Sequence, residues 1–294
     1  MTGKPAGGGS EMRLKWAGAT DPGLVRLQNQ DAMYADPGLF VVADGLGAPG
    51  NGDVASGLAV RAMASRSPDS TGALVAAVEH ANRVVHTRSV KQAELSGMGT
   101  TLCAMAVFDT DDGHRIGLVN VGDSRAYRHQ DGRLELLTVD HTRVAEMVRY
   151  GMITPAEALD HKDRNTLTRA IGVAAAVEVD DWLLDISGGD RYLLCSDGVT
   201  AELSDDEIAE ILATQFPAAD AASALVRTAN EKGGKDNSTA LVVDVQITHA
   251  GDDGQDEAQQ EPAPASGRGD DAGSGAAGAK TGRRRWFSSR RARG

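Results

Sequence analysis

Four aspartates of this chain share one local setting. Asp44 ends the apolar run "FVVAD" ahead of Gly45, and Asp197 ends "RYLLCSD" ahead of Gly198. Asp123 follows Gly122 at the close of "GLVNVGD", and Asp236 stands in "GGKDN" just before the apolar "TALVV". A lone Asp-Gly is ordinarily a turn, because both residues tolerate the backbone that a tight turn requires. Four such aspartates at strand ends invite convergence instead. Converged carboxylates repel and raise one another's pKa unless a cation neutralises them. Oxygen donors of this kind suit a hard divalent ion, Mn2+ or Mg2+. No His-x-His or Cys-x-x-Cys accompanies them, so a zinc site built on nitrogen and sulfur is not expected.

The same stretch admits a rival. "ADGLGAPGNGD" contains Gly45, Gly47 and Gly50, a literal G-x-G-x-x-G behind an apolar run. A dinucleotide-binding loop would need a strand soon after its helix, about 30 residues on, ending in an acid. Here "SPDSTGALVAAVEHANRVVHTRS" supplies a second helix, Pro49 interrupts the loop, and Asp44 would face the pyrophosphate. The glycines are better read as places where backbone approaches closely to whatever Asp44 holds.

Positioning these residues takes strands whose ends meet. The apolar runs predict strands at Leu39–Ala43, Thr101–Phe108, Arg115–Val121, Arg125–His129, Leu134–Thr138, Arg191–Cys195 and Thr239–Val245. Helical periodicity predicts Val54–Ser65, Leu74–Lys91, Val144–Tyr150, Pro155–Leu159, Asp205–Gln215 and Ala218–Glu231, with Ser204 and the acids of "SDDE" opening the fifth. Turn signals at Gly122-Asp123 and Asp131-Gly132 mark an antiparallel meander. Runs of strands followed by runs of helices favour an α+β fold over a doubly wound parallel sheet.

Bulk properties are consistent with one sizeable domain. Of 294 residues, 41% are hydrophobic and only 4% aromatic, so aliphatic side chains must fill the core. Cys103 and Cys195 both lie in apolar runs and are expected to be free, buried thiols. No apolar run reaches the roughly 20 residues that span a bilayer. The first residues lack the apolar core of a signal peptide, so a cytoplasmic protein is expected. The net charge is −12; residues 249–294 carry seven acids and eight bases, which leaves about −13 on residues 13–248. So acidic a body argues against nucleic acid as a ligand and suits a cation or a basic protein. Residues 1–12 read as a flexible lead-in. Residues 249–294, acidic and then basic, bury too little to fold alone and read as a disordered tail. Its "RRRWFSSRRARG" end is a candidate contact for anionic membrane or an acidic partner.

Seven segments, in order, carry a resemblance: "GLVRLQNQD" (23–31), "FVVADGLG" (40–47), "GMGTTL" (97–102), "VGDSRAYR" (121–128), "LTRAIG" (167–172), "LLCSDG" (193–198) and "GKDNSTALVV" (234–243). Over residues 13–248 the chain resembles the bacterial metal-dependent serine/threonine protein phosphatases of type 2C. The resemblance implies a four-layer α-β-β-α sandwich of two antiparallel sheets flanked by helices, with a binuclear Mn2+ or Mg2+ site at one end. It implies that Asp44 bridges both ions, that the Gly45 carbonyl holds one, and that Asp197 and Asp236 complete the other. Asp123 matches an aspartate that, with the Asp197 position, holds a third, weaker ion. Asp31 matches a residue that orients water from outside the ligand shell, Asn237 a support for Asp236, and Arg26 the arginine that grips the substrate phosphate. Residues 142–169 match a mobile flap beside the site. The implied reaction is direct attack of a water or hydroxide, bridging two ions, on phosphoserine or phosphothreonine, without a phospho-enzyme. The implied partners are phosphorylated proteins, a serine/threonine kinase or its substrates.

The chain departs from the family pattern after Asp44. Leu46, Ala48 and Pro49 replace the usual Met, Gly and His, and Gln30 precedes Asp31 where an acid is common; no implied ligand is lost. Other phosphatase chemistries fail on spacing. Neither cysteine begins a Cys-x5-Arg, since Asp109 and Ala201 stand where the arginine belongs. "FDTDDG" has Gly113 where an aspartyl-phosphate motif needs Thr or Val, and reads as a hairpin turn. Two alternatives of other classes are a catalytically weak phosphoprotein-binding relative and a hydrolase of small phosphate esters. His141, in "DHT", lies in a family-like segment with no chemical role assigned.

Overall fold

A computed structural model of the chain describes residues 10–48, 50–110 and 113–249. In chain order the strands and helices are β1 (Ser10–Asp21), β2 (Asp31–Asp36), β3 (Leu39–Leu46), α1 (Gly52–Ala64), α2 (Thr71–Lys91), β4 (Gly99–Thr100), β5 (Leu102–Thr110), β6 (Gly113–Val121), β7 (Arg125–Gln130) and β8 (Arg133–Leu136). There follow α3 (Arg143–Arg149), α4 (Pro155–Leu159), β9 (Asp180–Asp185), β10 (Arg191–Cys195), α5 (Asp197–Thr200), α6 (Asp205–Thr214), α7 (Ala218–Lys232) and β11 (Ser238–His249). One sheet has the order β1-β11-β10-β7-β8 and the other β2-β3-β5-β6-β9, with β4 beside β3. Every pairing is antiparallel.

The central strands are buried on both faces, which is why they read as unbroken apolar runs rather than as alternations. Along β3, Phe40 and Val42 enter the core between the sheets, where Met105, Leu118, Leu194 and Val243 meet them. Val41 and Ala43 point the other way, into a core with Ala59, Met63 and Val78 from α1 and α2. Leu193 and Val242 pack outward against Leu212 of α6 and Leu225 of α7. Trp16 of one sheet meets Phe40 of the other edge to face, with centroids 5.7 Å apart. The result is the expected four-layer α-β-β-α sandwich.

Four strands lie outside the sequence expectation, one of them the two-residue β4. β1 starts at Ser10, within residues expected to form a flexible lead-in, and pairs with β11 along its whole length. Its signal was present: Met12, Leu14 and Trp16 alternate with Arg13 and Lys15, and that apolar set packs between the sheets. β2 and β9 are edge strands, and too few apolar residues mark them; β9 sends only Trp182 and Leu184 inward. Of the expected tail, His249 closes β11 and residues 250–294 lie outside the described residues, as do Pro49 and residues 1–9. Among the described residues no helix is long and apolar enough to cross a membrane.

Antiparallel order decides where strand ends fall. β3, β6 and β10 finish, and β2, β7 and β11 begin, at one end of the sandwich, because β2 pairs β3, β10 pairs β7 and β11, and β5 returns β3 to β6. The turns that carry the aspartates are those at this end.

Candidate metal centre

Asp31 and Asp44 face each other as paired residues of β2 and β3. The Asp44 backbone is fixed on both sides: its N–H donates to Thr101 Oγ1 (2.9 Å), and its carbonyl accepts from Thr101 N (2.9 Å) and Thr100 Oγ1 (2.8 Å). Gly45 is wedged between two chain segments. A Cβ there would stand 2.2 Å from the Gly52 carbonyl oxygen and 2.5 Å from that of Gln30, so only glycine fits.

From the other sheet come Asp197, just after β10, and Asp236, just before β11. Asp31 ties the sheets together at this end: its Oδ2 accepts from Ser196 Oγ and Thr239 Oγ1, both at 2.7 Å. Thr101 and Ser124 pair their hydroxyls at 2.7 Å. These hydroxyls are buried and form a polar floor beneath the carboxylates. No motif in the sequence singled them out, since a hydroxyl at a strand end has no local signature.

The carboxylates crowd one another. Burial, then the nearby charges of Asp31, Asp197 and Asp123, holds the Asp44 carboxyl well above the usual range. Burial and the neighbouring Asp236 charge raise the Asp197 carboxyl as well. Burial pushes Asp31 up to about 6 and, with the Asp197 charge behind it, Asp123 up to about 7. Asp31 Oδ1 and Asp197 Oδ1 are buried acceptors without a donor. Unsatisfied buried oxygens are costly and call for a partner. No three acids, histidines or cysteines among the described residues already form a ligand shell. Two of the acids are instead engaged elsewhere, Asp31 by its hydroxyls and Asp236 by Arg26. The donor set is all oxygen, anionic and short of positive charge, which fits Mn2+ or Mg2+ and suits neither a soft ion nor an anion.

Arg26 and Asn237 occupy positions that the sequence alone did not specify. Arg26 Nη2 donates to Asp236 Oδ2 at 2.6 Å from an exposed loop. Asn237, expected as a support for Asp236, does donate its backbone N–H to Asp236 Oδ1 (2.9 Å). Its buried side chain does something further. Asn237 Nδ2 donates to the carbonyls of Pro22 and Gln28, both at 2.9 Å, and Oδ1 accepts from Gln30 N at 2.8 Å. Asn237 thus clamps the loop that carries Arg26 and leads into Asp31. Asp123 sits on the turn after β6, half-buried beside the Arg125–Asp140 ion pair.

These shifts make stability depend on pH in a defined direction. Asp31 and Asp123 favour their protonated forms in the fold, so the stability they contribute is complete below about pH 4 and is lost as pH rises through about 6 to 7. The chelator-treated protein is expected to have a lower Tm at pH 8 than at pH 5. Mn2+ is expected to recover that loss at pH 8 and to do little at pH 5, and Asp123→Asn should shrink the pH effect. Differential scanning fluorimetry checks this; a metal-free Tm that is flat or rises from pH 5 to 8 contradicts it.

A family model described as Protein phosphatase 2C matches residues 25–236. The chain is 41% identical over 238 residues to the serine/threonine protein phosphatase PstP of Mycobacterium tuberculosis, an alignment covering 79% of this chain and 45% of PstP. The chain therefore spans a little under half the length of that relative. It is 35% identical over 248 residues to the serine/threonine phosphatase stp of Listeria monocytogenes, covering 80% of this chain and 97% of stp. Among solved structures, the M. tuberculosis serine/threonine phosphatase PstP/Ppp superposes with a TM-score of 0.74 at 39% identity, covering 79% of this chain and 99% of that one. A catalytic domain of PstP in complex with two manganese ions superposes with a TM-score of 0.71 at 37% identity, covering 80% and 100%.

Proposed function

The chain belongs to the protein phosphatase 2C family, and from that premise we propose that it removes phosphate from serine and threonine of phosphorylated proteins, using Mn2+ or Mg2+. The observation that carries this reading is the crowd of half-buried carboxylates with raised pKa and two orphaned oxygens, beside an exposed arginine. Asp44, the Gly45 carbonyl, Asp197 and Asp236 would hold two ions, and Asp123 with Asp197 a third. Divalent cations held there would supply Lewis acidity, making water more acidic near neutral pH and balancing the phosphoryl charge.

The chain's own residues do the rest. Asp31, held through Oδ2 by two hydroxyls, keeps Oδ1 free to accept a proton and so to orient an attacking water. Arg26 uses one guanidinium nitrogen on Asp236, leaving donors of the same planar fork for two phosphate oxygens. The Asn237 clamp keeps that arginine and Asp31 in register.

Two features favour a protein over a small phosphate ester. Leu24, Val25 and Leu27 surround Arg26 and are 73%, 65% and 101% exposed, on a loop too well pinned to fold them away. Exposed aliphatics next to a site mark a surface that meets another macromolecule. A cavity of about 560 Å³ also runs from Asp123, Asp197 and Asp236 to the apolar wall of Val144, Val148 and Leu159 on α3 and α4, the segment expected as a flap.

The test is hydrolysis of p-nitrophenyl phosphate and of a phosphothreonine peptide with Mn2+ and then with chelator. Turnover that needs the metal is expected, and turnover surviving chelation would sink the reading. Leu27→Ser is expected to lower kcat/KM about 5- to 10-fold on a phosphopeptide with apolar flanking residues, the loss of one buried leucine contact. It should leave p-nitrophenyl phosphate unchanged; an equal loss on both substrates would speak for a small-ester hydrolase.

A further inference from the structure

His141 takes no part in the chemistry above, yet it is only 4% exposed and every polar atom it carries is used. Its backbone N–H donates to the Gly122 carbonyl at 2.9 Å, and Gly122 N–H donates back to His141 Nδ1 at 3.1 Å. The two residues are therefore paired twice. A backbone N–H can only donate, so Nδ1 carries the lone pair and the proton sits on Nε2. That proton points to Asp180 Oδ2, 3.1 Å away. Arg169 Nη1 donates to the other oxygen, Asp180 Oδ1, at 2.5 Å.

These bonds join three parts of the chain. Gly122 precedes Asp123. It adopts φ +109°, and a Cβ on it would stand 2.6 Å from Thr101 Cγ2, so the turn is pressed from the floor side by the residue that also fixes Asp44. From the opposite side it is held by His141. His141 stands at the start of segment 142–169, and the segment's far end returns to it: Thr168 N donates to the His141 carbonyl at 2.8 Å, and Thr142 bridges Leu167.

We propose that His141 is a positioning residue that fastens the Gly122–Asp123 turn to both ends of segment 142–169, so that the carboxylate at 123 and the segment over the cavity keep a common geometry. The inference rests on Asp123 binding a divalent cation, as proposed above. The imidazole does this with its two nitrogens on different partners: Nδ1 holds the turn, and Nε2, through Asp180 and Arg169, holds the end of the segment.

Two conservative variants separate the nitrogens. In His141→Asn the side-chain oxygen falls near the place of Nδ1 and keeps the Gly122 bond, but the side chain is too short for Asp180. In His141→Gln the amide reaches Asp180 but leaves Gly122 N–H without its acceptor. The readouts are amide hydrogen exchange at Gly122, calorimetric Mn2+ binding, and the split of KM and kcat. His141→Gln is expected to speed Gly122 exchange and to weaken the weakest Mn2+ step about 10-fold, the usual effect of losing a partner that orients a ligand. His141→Asn is expected to leave both near wild type and to raise KM for a phosphopeptide. Asp180→Ala, which keeps the ring but frees Nε2, is expected to resemble the Asn variant. If Asn and Gln alter Gly122 exchange and Mn2+ binding alike, His141 is only a core residue and the proposal falls. Exchange and calorimetry do not require turnover, so a chain that binds Mn2+ but hydrolyses nothing would overturn the proposed activity while still deciding the role of His141.

Discussion

Asp44→Asn is expected to lower kcat on p-nitrophenyl phosphate by at least ~10³-fold at saturating Mn2+, the scale of losing several kcal/mol of charge stabilisation. The same substitution is expected to raise the Tm of the metal-free protein at pH 8. Asp44 is held well above the usual carboxylate range by burial and by Asp31, Asp197 and Asp123. A carboxyl whose folded pKa is raised contributes stability at low pH and loses it as pH rises. At pH 8 the unfolded chain ionises Asp44 freely while the crowded fold resists it, so Asp44 works against the fold there, and the neutral isostere removes that cost. The difference in Tm should shrink as pH falls toward 4. Asp197→Asn is expected to behave in the same way, for the same reason. Loss of activity with a gain in metal-free stability is the mark of a residue kept for chemistry. A variant that loses Tm and activity together at pH 8 would mean that Asp44 is a structural acid.

Gly198→Ala is the second large effect. Gly198 follows Asp197, and a Cβ on it would stand 2.0 Å from the Asn237 carbonyl oxygen and 2.8 Å from its carbon. Both are backbone, so the strain cannot be relieved by turning a side chain; β10 and β11 must part at the end that carries Asp197 and Asp236. Overpacking of this kind costs about 1–3 kcal/mol, which in a domain of this size lowers Tm by roughly 5 °C. The larger consequence is for turnover. Asn237 holds Pro22, Gln28 and Gln30, so its displacement carries Arg26 and Asp31 with it. A shift of about 1 Å in such groups costs about 10²-fold in rate. Gly72→Ala is the control: a Cβ there meets nothing within 4 Å, and alanine favours α2. It should leave kcat unchanged. Equal kcat for Gly198→Ala and the control would show that the β10–β11 contact does not govern the site.

The two predictions draw on information of different origin. Asp44, Asp123, Asp197 and Asp236 were legible in the chain because the signal is local: an apolar run, an acid, and a glycine or polar turn. The central strands and all the longer helices were legible for the same reason, since burial on both faces leaves continuous apolar runs and burial on one leaves a period. Edge strands β2 and β9 were not, because each is six residues long, begins and ends on an aspartate, and leaves too short an apolar run to mark a strand. β1 carries an alternation of Met12, Leu14 and Trp16 with Arg13 and Lys15, a local signal of the same kind.

The residues that hold the carboxylates in place were beyond reach of any local reading. Ser196 and Thr239 reach Asp31 across 165 and 208 residues of chain, and Asn237 reaches Gln30 across 207. Gly122 finds His141, 19 residues on, by a bond to a ring nitrogen. The amino-acid sequence by itself determined which groups could carry the chemistry and that they would lie at strand ends. Which hydroxyl, amide or imidazole meets each of them was decided by the register of antiparallel ladders between distant strands. A slip of one residue in that register turns every side chain to the other face. Such partnerships are therefore properties of the folded sheets and not of any segment within them.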